Sequence, residues 1–382
     1  MFDVAAHTIF VTLAGSQAHG TARAGSDVDL RGVCIAPLKV RLSLFEKFEQ
    51  SEAPLEGELW TTVRERLLRH PTASAALETK VESVVFDLGK FVGLLAVANP
   101  NFLEILFADE RDWVFETPWW RRLHEQRHRF LTQKVQQTFL GYALAQLKRI
   151  KTHRGWLLTP PKAKPSRQDF GLPETSTLNQ DDQRRIGQGI EEKLRDYGFD
   201  ATDLPGPDRS ALKQNLRAFW VDSLGAKEEE LEERIRAVAG RAVSLPPEVI
   251  STLNAERKYR AALKHWQSYQ AWKGHRNRDR AELERKFGYD TKHAMHLVRL
   301  MRMGLEALQT GDLLIRRPDA EELNSIRQGA WEYDRLLEQA EGLQARIRAA
   351  VQETSLPADI DRAAVDELTL DLLSEFEGRG AK

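Results

Sequence analysis

Two pairs of residues near the start of the chain have the types and the spacing that phosphate chemistry requires. Gly15 and Ser16 follow a run of apolar and β-branched residues, and Asp27 and Asp29 stand where a second such run begins. Because side chains alternate between the two faces of a strand, aspartates two residues apart point to the same side. Two carboxylates held that close favour a bound divalent cation such as Mg²⁺, which prefers carboxylate oxygens. The acidic pair therefore predicts a site that handles phosphates.

The glycine–serine pair supplies the complementary half of such a site. A turn led by glycine lets backbone N–H groups approach a phosphate closely, and the serine hydroxyl adds a further donor. A helix that begins at this turn would add the attraction of its positive end. Taken alone, Gly15-Ser16 is more often a plain turn and Asp27-x-Asp29 a solvated strand end, but together in this order they are specific for a phosphate site. His19 belongs to the same loop, where it either contacts the substrate or caps the turn.

The elements that must position these residues are strands, and the first hundred residues contain three convincing ones. Runs rich in β-branched residues predict strands over 7–14, 28–36 and 80–86, so two of the three flank the glycine–serine loop. Asp87 is expected to cap a helix that follows the third strand. Beyond Pro118 the spacing of apolar residues is helical almost everywhere. The pattern predicts a small head of strands and helices, followed by a larger helical body.

The boundary between head and body is predicted after residue 117, so that the head covers 1–117 and the body 118–382. Four prolines predict a loop over 157–173. The segment from about 174 to 250 is polar, and much of it is predicted to be helical. The body as a whole has a basic middle, about 142–302, and an acidic C-terminal section.

The overall composition is that of an ordinary globular protein. Hydrophobic residues make up 41% of the chain and charged residues 30%, and the formal net charge is −1. No apolar run is long enough to span a membrane, and the first ten residues lack the features of a secretory signal, so we expect a cytoplasmic location and no membrane partner. The single cysteine, Cys34, excludes an intramolecular disulfide and a thiolate zinc cluster, which leaves carboxylates and histidines as metal ligands.

The order of these features resembles the nucleotidyltransferase superfamily related to DNA polymerase beta. A strand is followed by Gly15-Ser16, a gap of ten residues, Asp27-x-Asp29 and a second strand. More closely, the chain resembles the bacterial and phage branch of predicted nucleotidyltransferases. The resemblance implies an α+β fold, in which a small mixed β-sheet nucleotidyltransferase head with flanking helices is followed by a mostly α-helical domain that closes over the nucleotide. It covers the head and parts of the body, but not about 174–250. Further likenesses lie at 19–22 (HGTA), 99–107 (NPNFLEILF) and 288–300 (GYDTKHAMHLVRL).

The activity implied by the resemblance is transfer of a nucleoside monophosphate from an NTP, such as ATP, to a hydroxyl acceptor with release of pyrophosphate. Asp27 and Asp29 would hold two metal ions, Mg²⁺ or Mn²⁺, and these ions would stabilise the entering and leaving oxygens together. Ser16 and the Gly15 turn would bind the β- and γ-phosphates.

The resemblance also implies a third carboxylate from a neighbouring strand. Glu82 is the first candidate, because a side chain in that strand can face the same site as the acidic pair. It would complete the metal site nearest the acceptor or accept the proton of the acceptor, and the sequence does not separate a metal ligand from a base. The alternative is that Glu82 is a plain exposed strand residue. Asp87 ranks second, because its side chain would point to the opposite face of the strand from that of Glu82 and because it is expected to cap a helix. Glu78 ranks third.

Far along the chain, a predicted helix carries a second set of candidate nucleotide-binding residues. Lys292, His296 and Arg299 fall at positions i, i+4 and i+7, which puts three cationic or protonatable groups on one face. Such a stripe suits a triphosphate, although a solvated helix face has the same spacing. The resemblance favours the functional interpretation. His293 and His296 have a spacing found in metal sites, but no helical acidic partner stands out, so no zinc site is predicted.

The basic middle of the chain is the candidate surface for RNA or another nucleic acid. Between Tyr142 and Arg167 there are seven lysines or arginines and no acidic residue. Such a density suits the phosphates of a nucleic acid, although solvated helix faces have similar counts. The predicted nucleic-acid-binding residues are Lys148, Arg149, Lys151, Arg154, Lys162, Lys164 and Arg167.

Two further functions remain open at this point. The chain could be a nucleotide or RNA sensor without turnover, or it could transfer the nucleotide to a protein or a small molecule rather than to an RNA such as tRNA. The presence of Ser16, Asp27 and Asp29 argues against a sensor, because a site that has lost its activity is expected to lose its acidic residues. The fold alone does not choose among acceptors.

Overall fold

The chain divides into two compact units. The first unit comprises Met1–Leu158 and Asn277–Lys382, and the second comprises Thr159–Arg276. The predicted boundary at residue 117 stays a prediction. Most of the polar segment predicted over about 174–250 lies outside the described residues. The computed structural model describes residues 2–78, 80–175, 247–274 and 278–378.

Within the described residues of the first unit, five strands form one mixed sheet in the order β3-β4-β2-β1-β5. The neighbours β2 and β4 are parallel, and the other neighbouring pairs are antiparallel. The three predicted strands are confirmed to within two residues at each end, whereas β3 and β5 were not predicted because both are very short. The strands are β1 (Thr8–Ala14), β2 (Val28–Cys34), β3 (Gln50–Ser51), β4 (Val81–Asp87) and β5 (Trp113–Glu116).

Helices cover both faces of this sheet. On one face, Val28 and Leu30 of β2 pack with α4, through its buried Val63. Asp29 alternates with these residues along the strand, so it lies on the opposite face. That face also carries Val33, which packs into a larger core. The helices of this part are α1 (Val4–His7), α2 (Gly15–Ala18), α3 (Leu38–Arg41), α4 (Gly57–Arg69), α5 (Leu88–Leu95), α6 (Pro100–Leu106) and α7 (Pro118–Glu125).

The rest of the described chain is mostly helical, apart from connecting segments, of which 159–175 contains a single short helical turn, Gln168–Phe170. The helices are α8 (Lys134–Leu158), α9 (Pro247–Gly274), α10 (Arg278–Phe287), α11 (Thr291–Thr310), α12 (Ala320–Arg327), α13 (Tyr333–Glu353) and α14 (Arg362–Gly378). The predicted α+β fold, a small mixed sheet with flanking helices followed by a helical region, is thus confirmed. None of the described helices combines the length with the apolar character that crossing a lipid bilayer demands.

Helix α11 is the central helix of the first unit, and it packs against α8, α12 and α13. Its approach to α8 is close enough to require glycine, because a Cβ atom on Gly304 would lie 2.8 Å from the Cβ of Phe139. Buried residues of α11 belong to the same core as Phe10 and Trp120, whose rings stack 3.6 Å apart. The sheet face that carries Asp29 and the helical region therefore share one hydrophobic core, which fixes α11 against the sheet.

Candidate active site

The glycine–serine turn begins where β1 ends. Gly15 has φ of +58°, in the left-handed region that favours glycine. A Cβ atom at this position would also lie 2.5 Å from Oδ2 of Asp29, so the turn and the carboxylate are in immediate contact. The next residue, Ser16, lies in the single turn of α2. Both the backbone conformation and the close approach of Asp29 require glycine here.

Antiparallel pairing brings the acidic pair to this turn. Ala14 at the end of β1 pairs with Asp29 at the start of β2, so Gly15 lies directly beside Asp29. Asp27 precedes β2 by one residue and is exposed, while Asp29 is partly buried. Gly15, Ser16, Asp27 and Asp29 all line one cavity. The structure thus brings the four residues of the predicted signature together.

Glu82 lies next to Asp29 on the neighbouring strand. The strands β2 and β4 are parallel, and Asp29 pairs with Glu82, so their side chains share one face of the sheet. Burial raises the pKa of Asp29, Arg31 at 3.5 Å lowers it, and the carboxylates of Glu82 and Asp27 raise it again. Glu82 itself is exposed, and its ion pair with Lys80 lowers its pKa. Three carboxylates therefore share one edge of the sheet, although Glu82 is not part of the cavity lining.

The two lower-ranked candidates for the third carboxylate lie elsewhere. Asp87 is the N-cap of α5, and its buried carboxylate accepts hydrogen bonds from the backbone N–H groups of Gly89, at 2.8 Å, and Ala36, at 3.2 Å. It pairs with Cys34, at the far end of β2 from Asp29. Glu78 is exposed in the turn before β4. Of the three candidates, only Glu82 is the strand partner of Asp29.

The cavity has a volume of about 540 Å³, which is within the range of small-ligand sites. Facing the sheet residues are Lys292, His296 and Arg299, the predicted stripe on α11. The structure therefore brings residues separated by more than 260 positions to one cavity. Arg23 and Arg327 also line it and were not predicted. Their positions depend on the packing of α12, since Arg23 donates a hydrogen bond to the carbonyl of Asn324 at 2.9 Å.

His19 and Arg299, which line the cavity, form a largely buried group with Glu104, which does not line it. Arg299 Nη1 donates to Glu104 Oε1, and it lies 2.7 Å from His19 Nε2. Burial alone would raise the pKa of Glu104, but Arg299 and His19 outweigh it and hold this pKa well below the usual range. Burial and Arg299 lower the pKa of His19. At neutral pH the group is therefore an ion pair beside a neutral imidazole. Glu104 was not among the predicted site residues.

The charge state of His296 differs from that of its neighbours on the stripe. Burial, followed by the charges of Arg299 and Lys292, lowers the pKa of His296 to about 3. It is neutral at physiological pH, so it can offer a hydrogen bond but no charge to a phosphate. Lys292 is exposed and contributes to the field at Asp29, where it lowers the pKa of the carboxyl. The cationic side of the cavity thus depends on lysine and arginine, not on histidine.

A second, smaller cavity of about 340 Å³ adjoins the first. It shares Gly15, His19 and Arg299 with the first cavity. Its further lining includes Arg31 and the rings of Phe86 and Phe102, whose centroids are 4.8 Å apart. Glu104 lines the second cavity, whereas His19 and Arg299 line both.

The predicted nucleic-acid-binding residues have mixed surroundings. Lys148, Arg149 and Lys151 are exposed on α8, whereas Arg154 donates to the carbonyl of Gly288 at 2.8 Å. In the second unit, considered by itself, Lys162 and Lys164 are exposed. Arg167 forms an ion pair with Glu256 there, at 2.8 Å. Arg154 and Arg167 thus have partners within the protein, and the other five residues are exposed to solvent.

Comparison with known proteins supports the relationship that these residues suggested. Residues 3–157 match the model of the RNA repair pathway DNA polymerase beta family, RlaP. No curated protein and no solved structure matches the chain. The matched range contains the glycine–serine turn, Asp27, Asp29 and Glu82, whereas the stripe on α11 lies outside it. The match over residues 3–157 supports a DNA polymerase beta-like nucleotidyltransferase family for this chain.

Proposed function

We propose that the protein is a metal-dependent nucleotidyltransferase that moves a nucleoside monophosphate from an NTP to a hydroxyl acceptor and releases pyrophosphate. The observation that carries this proposal is the shared cavity, in which Ser16, Asp27 and Asp29 face Lys292 and Arg299. Carboxylates on one side and cations on the other side suit a triphosphate bound with divalent cations.

In this proposal the phosphates lie over the turn after β1. The Ser16 hydroxyl and the N–H groups at the start of α2 donate hydrogen bonds to the β- and γ-phosphates, because the first N–H groups of a helix have no partner within it. Lys292, together with Arg23 and Arg327, balances the negative charge of the triphosphate. His296 is neutral and orients the nucleotide through a hydrogen bond.

The donor set of the sheet edge fits a hard divalent cation such as Mg²⁺ or Mn²⁺. Asp27, Asp29 and Glu82 are all carboxylates, and the two neighbouring acids raise the pKa of Asp29, as expected where negative charge accumulates. These three residues would hold the metal, which when bound stabilises charge on the entering and leaving oxygens. The acceptor oxygen attacks the α-phosphorus, the bond to pyrophosphate breaks, and Glu82 takes up the acceptor proton.

An RNA end is the acceptor that we favour. The family description refers to an RNA repair pathway. Lys148, Arg149 and Lys151 are exposed on α8, and a row of cations suits the phosphates of a nucleic acid. We assign the contacts with RNA to these three residues and, in the second unit, to Lys162 and Lys164. A protein or a small hydroxyl compound is the alternative acceptor.

The test is incubation of the protein with each labelled NTP, Mg²⁺ or Mn²⁺, and total RNA. We expect release of pyrophosphate and a labelled RNA, both absent from the double variant Asp27→Asn, Asp29→Asn. The matched control is Asp366→Asn, which removes an exposed aspartate of α14 outside the cavity. Nucleotide binding without pyrophosphate release under all of these conditions would support a sensor and contradict the proposal. A labelled protein or small molecule in place of RNA would keep the reaction class and change the acceptor.

A further inference from the structure

Three potential metal ligands meet at the start of α11, outside the cavity of the proposed active site. They are His153 of α8, Asp290, which is the N-cap of α11, and His293 in the first turn of α11. One ligand atom from each residue lies within 4.8 Å of the other two. The carboxylate of Asp290 is fully buried and both imidazoles are largely buried, so the group is enclosed by the protein.

The two distances from the carboxylate of Asp290 to the imidazoles suit metal ligands better than direct hydrogen bonds. Oδ2 of Asp290 lies 3.6 Å from Nδ1 of His153 and 3.6 Å from Nε2 of His293. Hydrogen bonds between such atoms are about 2.7–3.2 Å long. Ligands that surround a tetrahedral Zn²⁺ at about 2.0–2.1 Å stand roughly 3.4 Å from each other. The two observed distances are closer to the second value.

Two of the ligands are held in place by contacts of their side chains. The other carboxylate oxygen of Asp290, Oδ1, accepts a hydrogen bond from the backbone N–H of His293 at 3.1 Å, so the cap fixes the carboxylate while Oδ2 faces the imidazoles. The ring of His153 stacks on Trp156, with centroids 5.4 Å apart and planes at 22°. Arg154 donates to the carbonyl of Gly288, which ties the segment before α11 to α8. The carboxylate of Asp290 and the imidazole of His153 are therefore preorganised.

We propose that His153, Asp290 and His293 bind a zinc ion that joins α8 to α11. Two imidazoles and one carboxylate suit Zn²⁺, whereas Mg²⁺ prefers oxygen ligands alone. Three protein ligands leave the fourth position of a tetrahedral ion to water. In this site His293 has His153 of α8 as its fellow ligand. His296, which the sequence places three residues after His293, lines the cavity instead.

The role of this ion is to position the nucleotide-binding face of α11. Lys292 lies between two of the ligands in the sequence and lines the cavity. A metal ion across His153 and His293 holds the first turn of α11 against α8, and this restricts the position of Lys292. The zinc site uses none of the residues assigned to nucleotide transfer, so it stands whether or not the proposed activity is correct.

The experiment measures zinc binding to the full chain in the background Asp27→Asn, Asp29→Asn, which removes the acidic pair as a competing site. The protein is stripped with a chelator, and Zn²⁺ is titrated in competition with a chromophoric chelator. We expect one equivalent of zinc per chain. Adding Asp290→Asn should weaken zinc binding by more than about 100-fold, since even changes to the partners of metal ligands cost about 10–100-fold. His153→Gln should have a similar effect.

Two features keep this test decisive. Asparagine is as good an N-cap as aspartate, so Asp290→Asn retains the helix cap, and far-UV circular dichroism checks the fold. The matched control is His128→Gln, because His128 lies near a single carboxylate, Asp312, in an exposed pair. This control should bind zinc as the background does.

Thermal unfolding supplies a second measurement. Zinc should raise the Tm of the background protein and leave the Tm of the Asp290→Asn variant unchanged, since a ligand stabilises only the state that binds it. Failure of the folded background protein to take up zinc would overturn the proposal and identify the group as a buried network of His and Asp. Equal zinc affinity in the background and in the Asp290→Asn variant would overturn it as well.

Discussion

The two sides of the candidate active site reach their charge by different means. On the sheet side, strand pairing places Glu82 next to Asp29, and the charge of Asp27 also acts on Asp29, so negative charge accumulates there. On the helix side, which is the face of α11 that lines the cavity, burial lowers the pKa of His296 so that it is neutral. The charge of Arg299 is balanced by its ion pair with Glu104. Lys292 remains as the exposed cation of the α11 stripe. The sheet side therefore favours a cation, while the helix side is a preorganised wall with limited positive charge.

Replacement of residues on the two sides should impair different properties of the protein. Sheet residues should affect the chemical step, because they would hold the groups that stabilise its transition state. Helix residues should affect either nucleotide binding or the stability of the fold.

The largest effect is expected on the sheet side. Replacement of Asp29 by Asn removes a proposed metal ligand, and we expect kcat to fall by at least about 1,000-fold, equivalent to about 4 kcal/mol of transition-state stabilisation. Steady-state pyrophosphate release measures this change. The Asp366→Asn variant should retain full activity. A loss of less than tenfold for Asp29→Asn would remove the basis for assigning metal binding to the sheet side.

The next effect is one of stability on the helix side. Replacement of Glu104 by Gln leaves the guanidinium of Arg299, whose side chain is 8% exposed, without its carboxylate. Breaking a buried ion pair in this way typically costs about 3–5 kcal/mol. Urea unfolding should show a decrease of that order in the free energy of unfolding. Glu110→Gln, at an exposed acid of the same region, is the control and should change this free energy little.

A smaller effect is expected at the exposed cation of the α11 stripe. Replacement of Lys292 by Gln should raise the KM for the NTP by about tenfold, roughly 1.4 kcal/mol, and leave kcat nearly unchanged, because the lysine would contribute charge to the bound triphosphate in ground and transition states alike. Lys47→Gln, an exposed lysine outside the cavity, should change neither constant. A fall in kcat at constant KM for Lys292→Gln would place this residue with the sheet side.

The smallest effect concerns pH and the neutral histidines. The pKa of His19 is lowered in the folded protein, and that of His296 is lowered to about 3, so the unfolded chain binds protons that the folded chain excludes. Their contribution to stability is therefore complete above about pH 6.5 and is lost as the pH falls below it. We expect the lowered pKa of His296 alone to decrease the free energy of unfolding by about 1 kcal/mol between pH 6.5 and 5.5, and His19 to add to this decrease.

The control for this pH dependence is His296→Gln, in which the decrease should be smaller. Chemical unfolding at both pH values measures it. A pH dependence that is identical in the parent and the variant would show that His296 is protonated as readily in the folded chain as in the unfolded one.

Much of the sheet side could be predicted from the sequence because its geometry is local. Gly15 follows β1 directly, and Ala14 at the end of β1 pairs with Asp29. Asp27 lies one residue before β2, so strand alternation does not describe its side chain, but Asp27 lines the same cavity as Asp29. The prediction of Glu82 also depended on the pairing of β4 with β2. The face of the strand on which its side chain lies was sufficient to rank Glu82 above Asp87.

The helix side was only partly predictable. Helical spacing puts Lys292, His296 and Arg299 on one face, but it does not reveal that Glu104 neutralises Arg299 from a distance of 195 positions in the chain. A buried carboxylate on α6 has no local signature that distinguishes it from an ordinary acid in the first turns of a helix. The zinc-ligand group was missed for the same reason, since His153 lies 137 positions before Asp290.

By itself the sequence determined the strand–turn–strand unit with its serine and aspartates, because strand periodicity and glycine conformation act over a few residues. Only the tertiary structure decided which distant groups face that unit, which of them carry charge, and that His293 lies beside His153 and Asp290. Those properties depend on burial and on pairings across more than a hundred positions, and such pairings arise from the packing of α11 against α8 and the sheet.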